Sequence, residues 1–429
     1  MDIRSKLQIA TNTIIAYAWY LYIKTKTLIP VKKRNGSTRH ILILAHLFPP
    51  KISGGIYRIV SNIKYLINNG WKVTVICGPM PDSSVTEAGL HMLRQIPKEV
   101  NVLRIYRKKK EVSYSFFPRV DGGFINVINC FRIALKELRD MKPSVIFASG
   151  PPFYTFISAY YLAKYFGCRN VIEYRDEWSE NPFGFVEISN KDRIWEKKCL
   201  NYCDEVIFTT ESQRIHQGEK FSIKDNRKFH VLPNGWEPDD FFLCKEERGK
   251  NNKDIKISFI GNLGNHTLPE PYLSMFEKIL DRNTQLKDRL ILQFVGNKSN
   301  KAIYQIEQFK YKKNIVLIDN LPKPEANKLM KDSDGLIIFS DERFERYIAG
   351  KFYDYIASKT PVIVFGKKGE MIDVVNQIDA GYIIDNDIDA LELALMSLNK
   401  KKIGKEKIAV WLKEHERKNI AKNIMDLIE

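Results

Sequence analysis

The chain has 429 residues, enough for two domains of ordinary size, and its 44% hydrophobic and 28% charged content belongs to a globular protein with a sizeable core. A net charge of +17 fits nucleic acid, an anionic membrane surface or simply a lysine-rich coding bias, yet no lysine/arginine tract is interleaved with aromatics and no nucleic-acid motif occurs, which favours a membrane surface. Six scattered cysteines (Cys77, Cys130, Cys168, Cys199, Cys203 and Cys244) form neither a dense disulfide framework nor a metal-ligand spacing, so a reducing, cytoplasmic location without a metal centre is expected.

Residues 3–28 carry Ile3, Leu7, Ala10, Ile14, Tyr17, Leu21 and Leu28 at helical spacings. The wholly apolar run Ile14–Ile23 makes only about 15 Å of helix. That falls short of the ~20 residues that span a bilayer. Arg4, Lys6, Lys24, Lys26, Lys32, Lys33 and Arg34 flank it. Residues 1–35 therefore read as an amphipathic helix and basic linker, lying in an anionic leaflet or packed on the protein's own core. Ala16-Tyr17-Ala18 imitates a secretory cleavage site, but Thr11, Asn12 and Thr13 interrupt the apolar region a signal peptide needs.

HILILAHLFPP then reads as a buried parallel strand, followed by KISGG, a helix through IYRIVSNIKYLINNG and the strand WKVTVICG. The alternation continues through VNVLRIY, a helix over 124–140, PSVIFASG, a helix over 154–166, RNVIEYRD, DEVIFTT and HVLPNG. A charged linker, 243–254, precedes a second series: IKISFIGN, helix 270–281, RLILQFVGN, helix 301–309, NIVLIDN, helix 323–331, DGLIIFS, the helix of GKFYDYIASKTPV, PVIVFG and AGYIID. A basic amphipathic helix covers 404–429. Strands alternating with helices imply parallel sheets covered on both faces. The expected class is α/β, with two doubly wound Rossmann-like domains over 36–242 and 255–403.

The chemistry-bearing segments end predicted strands, where open α/β sheets bind ligands. PPKISGG lacks a dinucleotide fingerprint, but Gly54 and Gly55 admit a ligand to the backbone and open a helix, unless they serve only a tight turn. In EYRDEW, Asp176 can orient or deprotonate an acceptor hydroxyl, and Arg175 can hold a charge or lock the loop; Trp178 and the Ser149 of SGPP accompany them. Asn234 lies in the Pro-Asn-Gly turn of HVLPNGW, as a substrate contact or as turn chemistry. FIGNLG offers Gly261 and Asn262 to a diphosphate. On the 350–362 segment Lys351 suits phosphate and Asp354 suits the two hydroxyls of a ribose, unless they are an ordinary helical charge pair. Asp239-Asp240 and Asp385-Asn386-Asp387 read as solvated turns rather than metal ligands.

As a set these segments resemble the family-4 glycosyltransferases of the GT-B fold, near the branch that builds bacterial surface polysaccharides such as capsule and O-antigen. The resemblance rests on the strand–PP–x3–GG start, SxPP followed by RDxW, PNGWEPDDF, FIGNLG and GKFYDYIASKTPV, over roughly residues 40–400. It implies a retaining, metal-independent transfer from a nucleotide-sugar, with no further cofactor, to a saccharide or polyprenyl-diphosphate-linked acceptor. The enzyme would be cytoplasmic and peripheral on the inner face of the cell membrane. The nucleotide would lie against the C-terminal domain and the acceptor against the N-terminal one, with a cleft between them.

By the same resemblance Asp354 stands for the family's second Glu, the ribose grip, and Lys351 for the lysine of its P-x-K-x-x-E-Y variant. Gly261 is the nucleotide-loop glycine, Gly54 and Gly55 face the donor phosphates, and Asp176 is the RDxW aspartate. Two departures stand out. Arg346 occupies the place of the first Glu, with Glu345 one position off. Asn262 and Leu263 replace the Arg and Lys that many members carry after the glycine, so phosphate charge falls to Lys351, Arg346 and loop amides. Asp176, Arg346 and Lys351 are thus the expected catalytic groups. A nucleotide-sugar 2-epimerase and a non-catalytic partner subunit are alternatives on the same fold.

Overall fold

The computed structural model describes residues 3–429 apart from 30, 33–37, 52, 82–84, 106–115, 184–188, 224–225, 243–253, 265–266, 271 and 399–403. The chain forms two compact units, Met1–Pro233 with Ala421–Glu429, and Asn234–Ile420. The expected linker at 243–254 lies almost wholly outside the described residues, and the division falls earlier, after Pro233.

In the first unit the strands are β1 (His40–Ala45), β2 (Lys72–Cys77), β3 (Asn101–Arg104), β4 (Val145–Gly150), β5 (Arg169–Tyr174), β6 (Glu205–Phe208) and β7 (Phe229–Val231). They form one parallel sheet in the order β3-β2-β1-β4-β5-β6-β7. The second unit holds β8 (Ile255–Ile260), β9 (Leu290–Val295), β10 (Ile315–Ile318), β11 (Gly335–Phe339), β12 (Val362–Phe365) and β13 (Gly381–Ile384), in the order β10-β9-β8-β11-β12-β13, again parallel. Both units are the expected Rossmann-like sheets. Each reverses its winding once, between β1 and β4 and between β8 and β11, and the carboxyl ends at such a switch point form a ligand crevice.

The central strands β1 and β4 are buried at every position, as apolar runs covered on both faces must be. Helices Phe124–Glu137 and Tyr154–Phe166 cover the first sheet with Phe131, Phe156, Leu162 and Phe166. The amino-terminal helix, Ile3–Lys26, packs one face on this core: Ile23 is fully buried, and Tyr20 meets Phe124 edge-on at 5.0 Å. Its other face leaves Leu7, Ile14 and Leu21 exposed. No helix among the described residues is long and apolar enough to cross a membrane.

The segment 404–429 is two helices, Lys405–Glu414 and Arg417–Ile428, rather than one. The break pairs with Trp236, whose N–H donates to the His415 carbonyl at 3.1 Å and whose carbonyl accepts from Arg417 N–H at 3.1 Å. Helix Asn190–Tyr202 was not singled out as an element because Asp192 and Glu196 occupy buried positions and break its apolar period. The five described cysteines are free and buried, and no group of three potential metal-ligating side chains occurs among the described residues.

Candidate functional site

In the second unit, β8 runs into Gly261 at φ +140°, a conformation that side chains rarely adopt. A Cβ there would come within 2.8 Å of the Lys351 ammonium nitrogen. Lys351 lies in the first turn of helix Gly350–Ala357, which begins just beyond β11. Its ammonium sits over the Phe259 ring, 3.7 Å from the centroid. Burial lowers its pKa to about 7, and no carboxylate among the described residues pairs with it.

Asp354 follows three residues later, on the same helical face. One carboxylate oxygen, Oδ2, accepts from the Lys323 ammonium; the other, Oδ1, is buried without a hydrogen-bond partner. A buried carboxylate oxygen left in this state costs free energy that an incoming hydroxyl recovers. The alternate positions hold the helix in place. Phe352 and Tyr353 pack on Trp411, and the Tyr355 hydroxyl accepts from Ile260 N–H at 2.8 Å, fastening the helix to the end of β8. Gly261, Lys351 and Asp354 are thereby brought together around one strand end. The arrangement offers a cation, an acceptor oxygen and a helix N-terminus, the needs of a nucleoside diphosphate.

Asn262 is exposed beside them, while Leu263 is buried and supports the loop through the Asn297 carbonyl. Arg346 is half-buried in the turn between β11 and the helix. Glu345 is committed elsewhere: its carboxylate pairs with Lys368 at 2.7 Å, and its carbonyl accepts from Glu370 N–H at 2.8 Å.

In the first unit, Gly54 and Gly55 open helix Gly54–Asn68 just beyond β1. A Cβ on Gly54 would meet nothing, whereas one on Gly55 would overlap the Arg175 guanidinium. Arg175 follows β5, donates to the Pro151 carbonyl and accepts at its own carbonyl from Thr209 Oγ1 at 3.5 Å. These contacts fix the loop that carries Asp176. Burial raises the Asp176 carboxyl to about 6, against the pull of Arg175.

Two residues expected on the acceptor side lie inside instead. Ser149 is buried and donates to Glu173 Oε2 at 2.7 Å. Trp178 is fully buried, stacked on Phe153 at 5.1 Å, with its indole N–H donating to Asp192 Oδ1 at 2.8 Å. Ser149 is a residue of β4 facing its in-register neighbour Glu173 on β5, and Trp178 turns back into the core from the loop after β5. Asn234 is half-buried at the first position of the second unit.

Sequence reasoning missed three features. Arg58 pairs with Glu173 at 2.7 Å in the interior and donates to the carbonyls of Leu232 and Pro233. His46, at the end of β1, bonds Tyr154 at 2.8 Å and is driven down to about 4 by burial, so it is neutral. Lys323 is the Asp354 partner; its Pro-Lys-Pro setting at a helix start was the available signal.

Residues 241–425 match the family described as glycosyl transferases group 1. No curated protein matches the chain significantly in sequence. Among solved structures, a glycosyltransferase from Rickettsia africae aligns with a TM-score of 0.67 at 15% identity, over 92% of this chain and 98% of that one. Sucrose-phosphate synthase from Thermosynechococcus elongatus aligns with a TM-score of 0.69 at 13% identity, over 91% and 98%. The Anabaena protein HepE, crystallised with UDP and glucose, gives 0.61 at 14% identity, over 90% and 98%. The fold is therefore GT-B, and the carboxyl-terminal part carries a glycosyl transferases group 1 domain.

Proposed function

We propose that the chain is a retaining glycosyltransferase that moves a sugar from a nucleotide-sugar to a saccharide or lipid-linked saccharide, in the synthesis of a bacterial surface polysaccharide. The observation that carries this reading is the juxtaposition of Lys351, without a carboxylate partner, and the unsatisfied Asp354 Oδ1 at the end of β8, inside the family-matched segment. The UDP and glucose bound by the Anabaena neighbour support a donor of this class.

In this reading Asp354 accepts from the ribose hydroxyls, while Lys351, Arg346 and the Gly261–Asn262 amides hold the diphosphate. As the bond from the anomeric carbon to the diphosphate oxygen breaks, the negative charge on the leaving group grows and Lys351 meets it as an ammonium. Side chains supply this charge, so the reaction is read as needing no metal. The acceptor hydroxyl attacks from the face the leaving group vacates, which retains configuration. Asp176, with a carboxyl near 6, orients that hydroxyl or takes its proton. The exposed apolar face and flanking lysines of the amino-terminal helix support work at an anionic membrane surface, on its cytoplasmic side.

A thermal-shift panel of nucleoside diphosphates and nucleotide-sugars tests the proposal, because a ligand that binds only the folded state raises Tm. A clear rise with one nucleotide is expected; a flat response to all of them overturns it. Turnover without acceptor, giving free nucleotide and an altered sugar, would identify the epimerase alternative.

A further inference from the structure

β1 ends at Ala45, which is paired in register with Cys77 of β2 and Ser149 of β4. His46 is the next residue, so it stands at the carboxyl edge of the first sheet, at the switch point itself. Its carbonyl accepts from Gly78 N–H at 2.9 Å, and a Cβ on Gly78 would come within 3.0 Å of the imidazole Cε1. From the other side Tyr154, the first residue of helix Tyr154–Phe166, meets the ring edge-on at 5.6 Å and bonds its Nδ1 at 2.8 Å. The imidazole is therefore held by two different connections of the sheet.

The direction of the Tyr154 bond follows from what the hydroxyl can reach. Tyr154 is buried, and His46 Nδ1 is its hydroxyl's only hydrogen-bond partner among the described residues. Burial raises the phenol well above its ordinary pKa, so the hydroxyl keeps its proton. Were Nδ1 the donor, that O–H would be a buried donor with no acceptor and would carry the full desolvation cost. Tyr154 therefore donates and Nδ1 accepts. Burial, with Lys51 nearby, keeps the imidazole neutral, so its single proton sits on Nε2. Nε2 has no hydrogen-bond partner among the described residues, and it is open to solvent because His46 is only half-buried.

A neutral N–H donor with a fixed tautomer thus faces outward from the end of β1. Arg175 and Asp176 follow β5, two strands away in the same sheet, which is about 10 Å at the usual strand spacing. We propose that His46 Nε2–H donates to a hydroxyl oxygen of the saccharide acceptor while Asp176 meets the attacking hydroxyl. An uncharged donor matches a sugar hydroxyl, where a cation would favour an anion. With Nδ1 occupied by Tyr154 the ring has no basic nitrogen to offer, so His46 binds and orients but takes no proton. This deepens the acceptor side of the transferase reading and rests on it.

Nitrogen NMR on the full chain labelled with 15N-histidine tests this, with the His46 signals identified among the seven histidines by their loss in His46→Gln. The probes are the methyl glycosides of glucose, galactose, mannose and N-acetylglucosamine. A protonated Nε2 is expected, with a signal that moves saturably as at least one glycoside is added. His46→Ala should raise the Kd of that glycoside by about three- to tenfold, the worth of one neutral hydrogen bond. Tyr154→Phe should let the two tautomers mix and should weaken the same glycoside. A proton on Nδ1, an Nε2 signal that no glycoside moves, or unchanged glycoside affinity in folded His46→Ala overturns the proposal. A nucleotide thermal shift that persists while every glycoside is silent removes the His46 contact and leaves the transferase reading standing. A glycoside response without any nucleotide shift supports the contact and removes the transferase reading.

Discussion

The Lys351 ammonium rests on the face of Phe259, 3.7 Å from the ring centre, where a carboxylate would ordinarily be found. Ring and cation attract, yet the interaction replaces only part of the lost hydration. The lysine is therefore held close to neutrality, ready to become a full cation when an anion arrives.

Nucleotide binding should accordingly take up a proton. With a pKa of about 7 the free lysine is largely neutral at pH 8, and a bound diphosphate restores its charge. Calorimetry at pH 8 in buffers of different ionisation enthalpy should reveal this uptake, and affinity should fall as pH rises past 7. Lys351→Met should abolish the uptake; uptake that survives in it would refute the assignment. The effect on stability has the opposite sense. The unfolded lysine binds a proton that the folded one has lost between about 7 and its ordinary value near 10.4, so this group's contribution rises with pH through that window.

Asp354→Asn preserves shape but weakens the acceptor presented to a ribose. Loss of a charged hydrogen bond is worth about 1.5–3 kcal/mol, so the Kd of the best nucleotide from the thermal-shift panel should rise by roughly 10- to 100-fold. Near-wild-type affinity by calorimetry would remove Asp354 from the site.

Gly54 and Gly55 make a contrast pair. Gly54→Ala meets open space and should leave Tm near wild type. Gly55→Ala displaces the Arg175 guanidinium and, through it, the loop that bears Asp176. Transfer should fall by about tenfold or more, while the thermal shift from a nucleotide held as proposed at Lys351 and Asp354 persists.

Asp176 predicts a pH limb. If its ionised form takes the acceptor proton, kcat/KM for the acceptor should rise through pH 6 and level above it. Asp176→Asn should lower the plateau and flatten the limb; an unaltered profile would assign the proton elsewhere. Its raised carboxyl also makes the folded state bind the extra proton between about 4 and 6, so its contribution to stability falls as pH rises through that range.

The interior ion pair of Arg58 and Glu173 should behave as a unit. Arg58→Met strands the Glu173 charge and should cost about 3–5 kcal/mol in urea unfolding. A loss under 1 kcal/mol in the same measurement, about what an exposed pair is worth, would mean that the pair is solvated in solution.

The strands of both units were accessible from the apolar runs because parallel strands buried on both faces leave that mark, and Lys351 and Asp354 stood out because they share a face beside such a run. Ser149 and Trp178 misled for a physical reason. A residue at a strand end can point outward or fold back beneath its loop, and neither spacing nor type distinguishes the two. Lys323 and Tyr154 were invisible as partners of Asp354 and His46, since each contact joins distant segments and depends on tertiary packing. The same limit hid the division after Pro233: no composition change marks it, and the Arg58 bonds to Leu232 and Pro233 arise only in the folded unit.

The return of Ala421–Glu429 to the first unit makes that unit discontinuous, with Asn234–Ile420 an insertion within it. During synthesis the amino-terminal sheet can form early, but Ala421–Glu429 leave the ribosome only after the whole second unit. The ion pair between Arg39, at the entry to β1, and Glu429, at 2.9 Å, joins the two ends of this loop in time as well as in space.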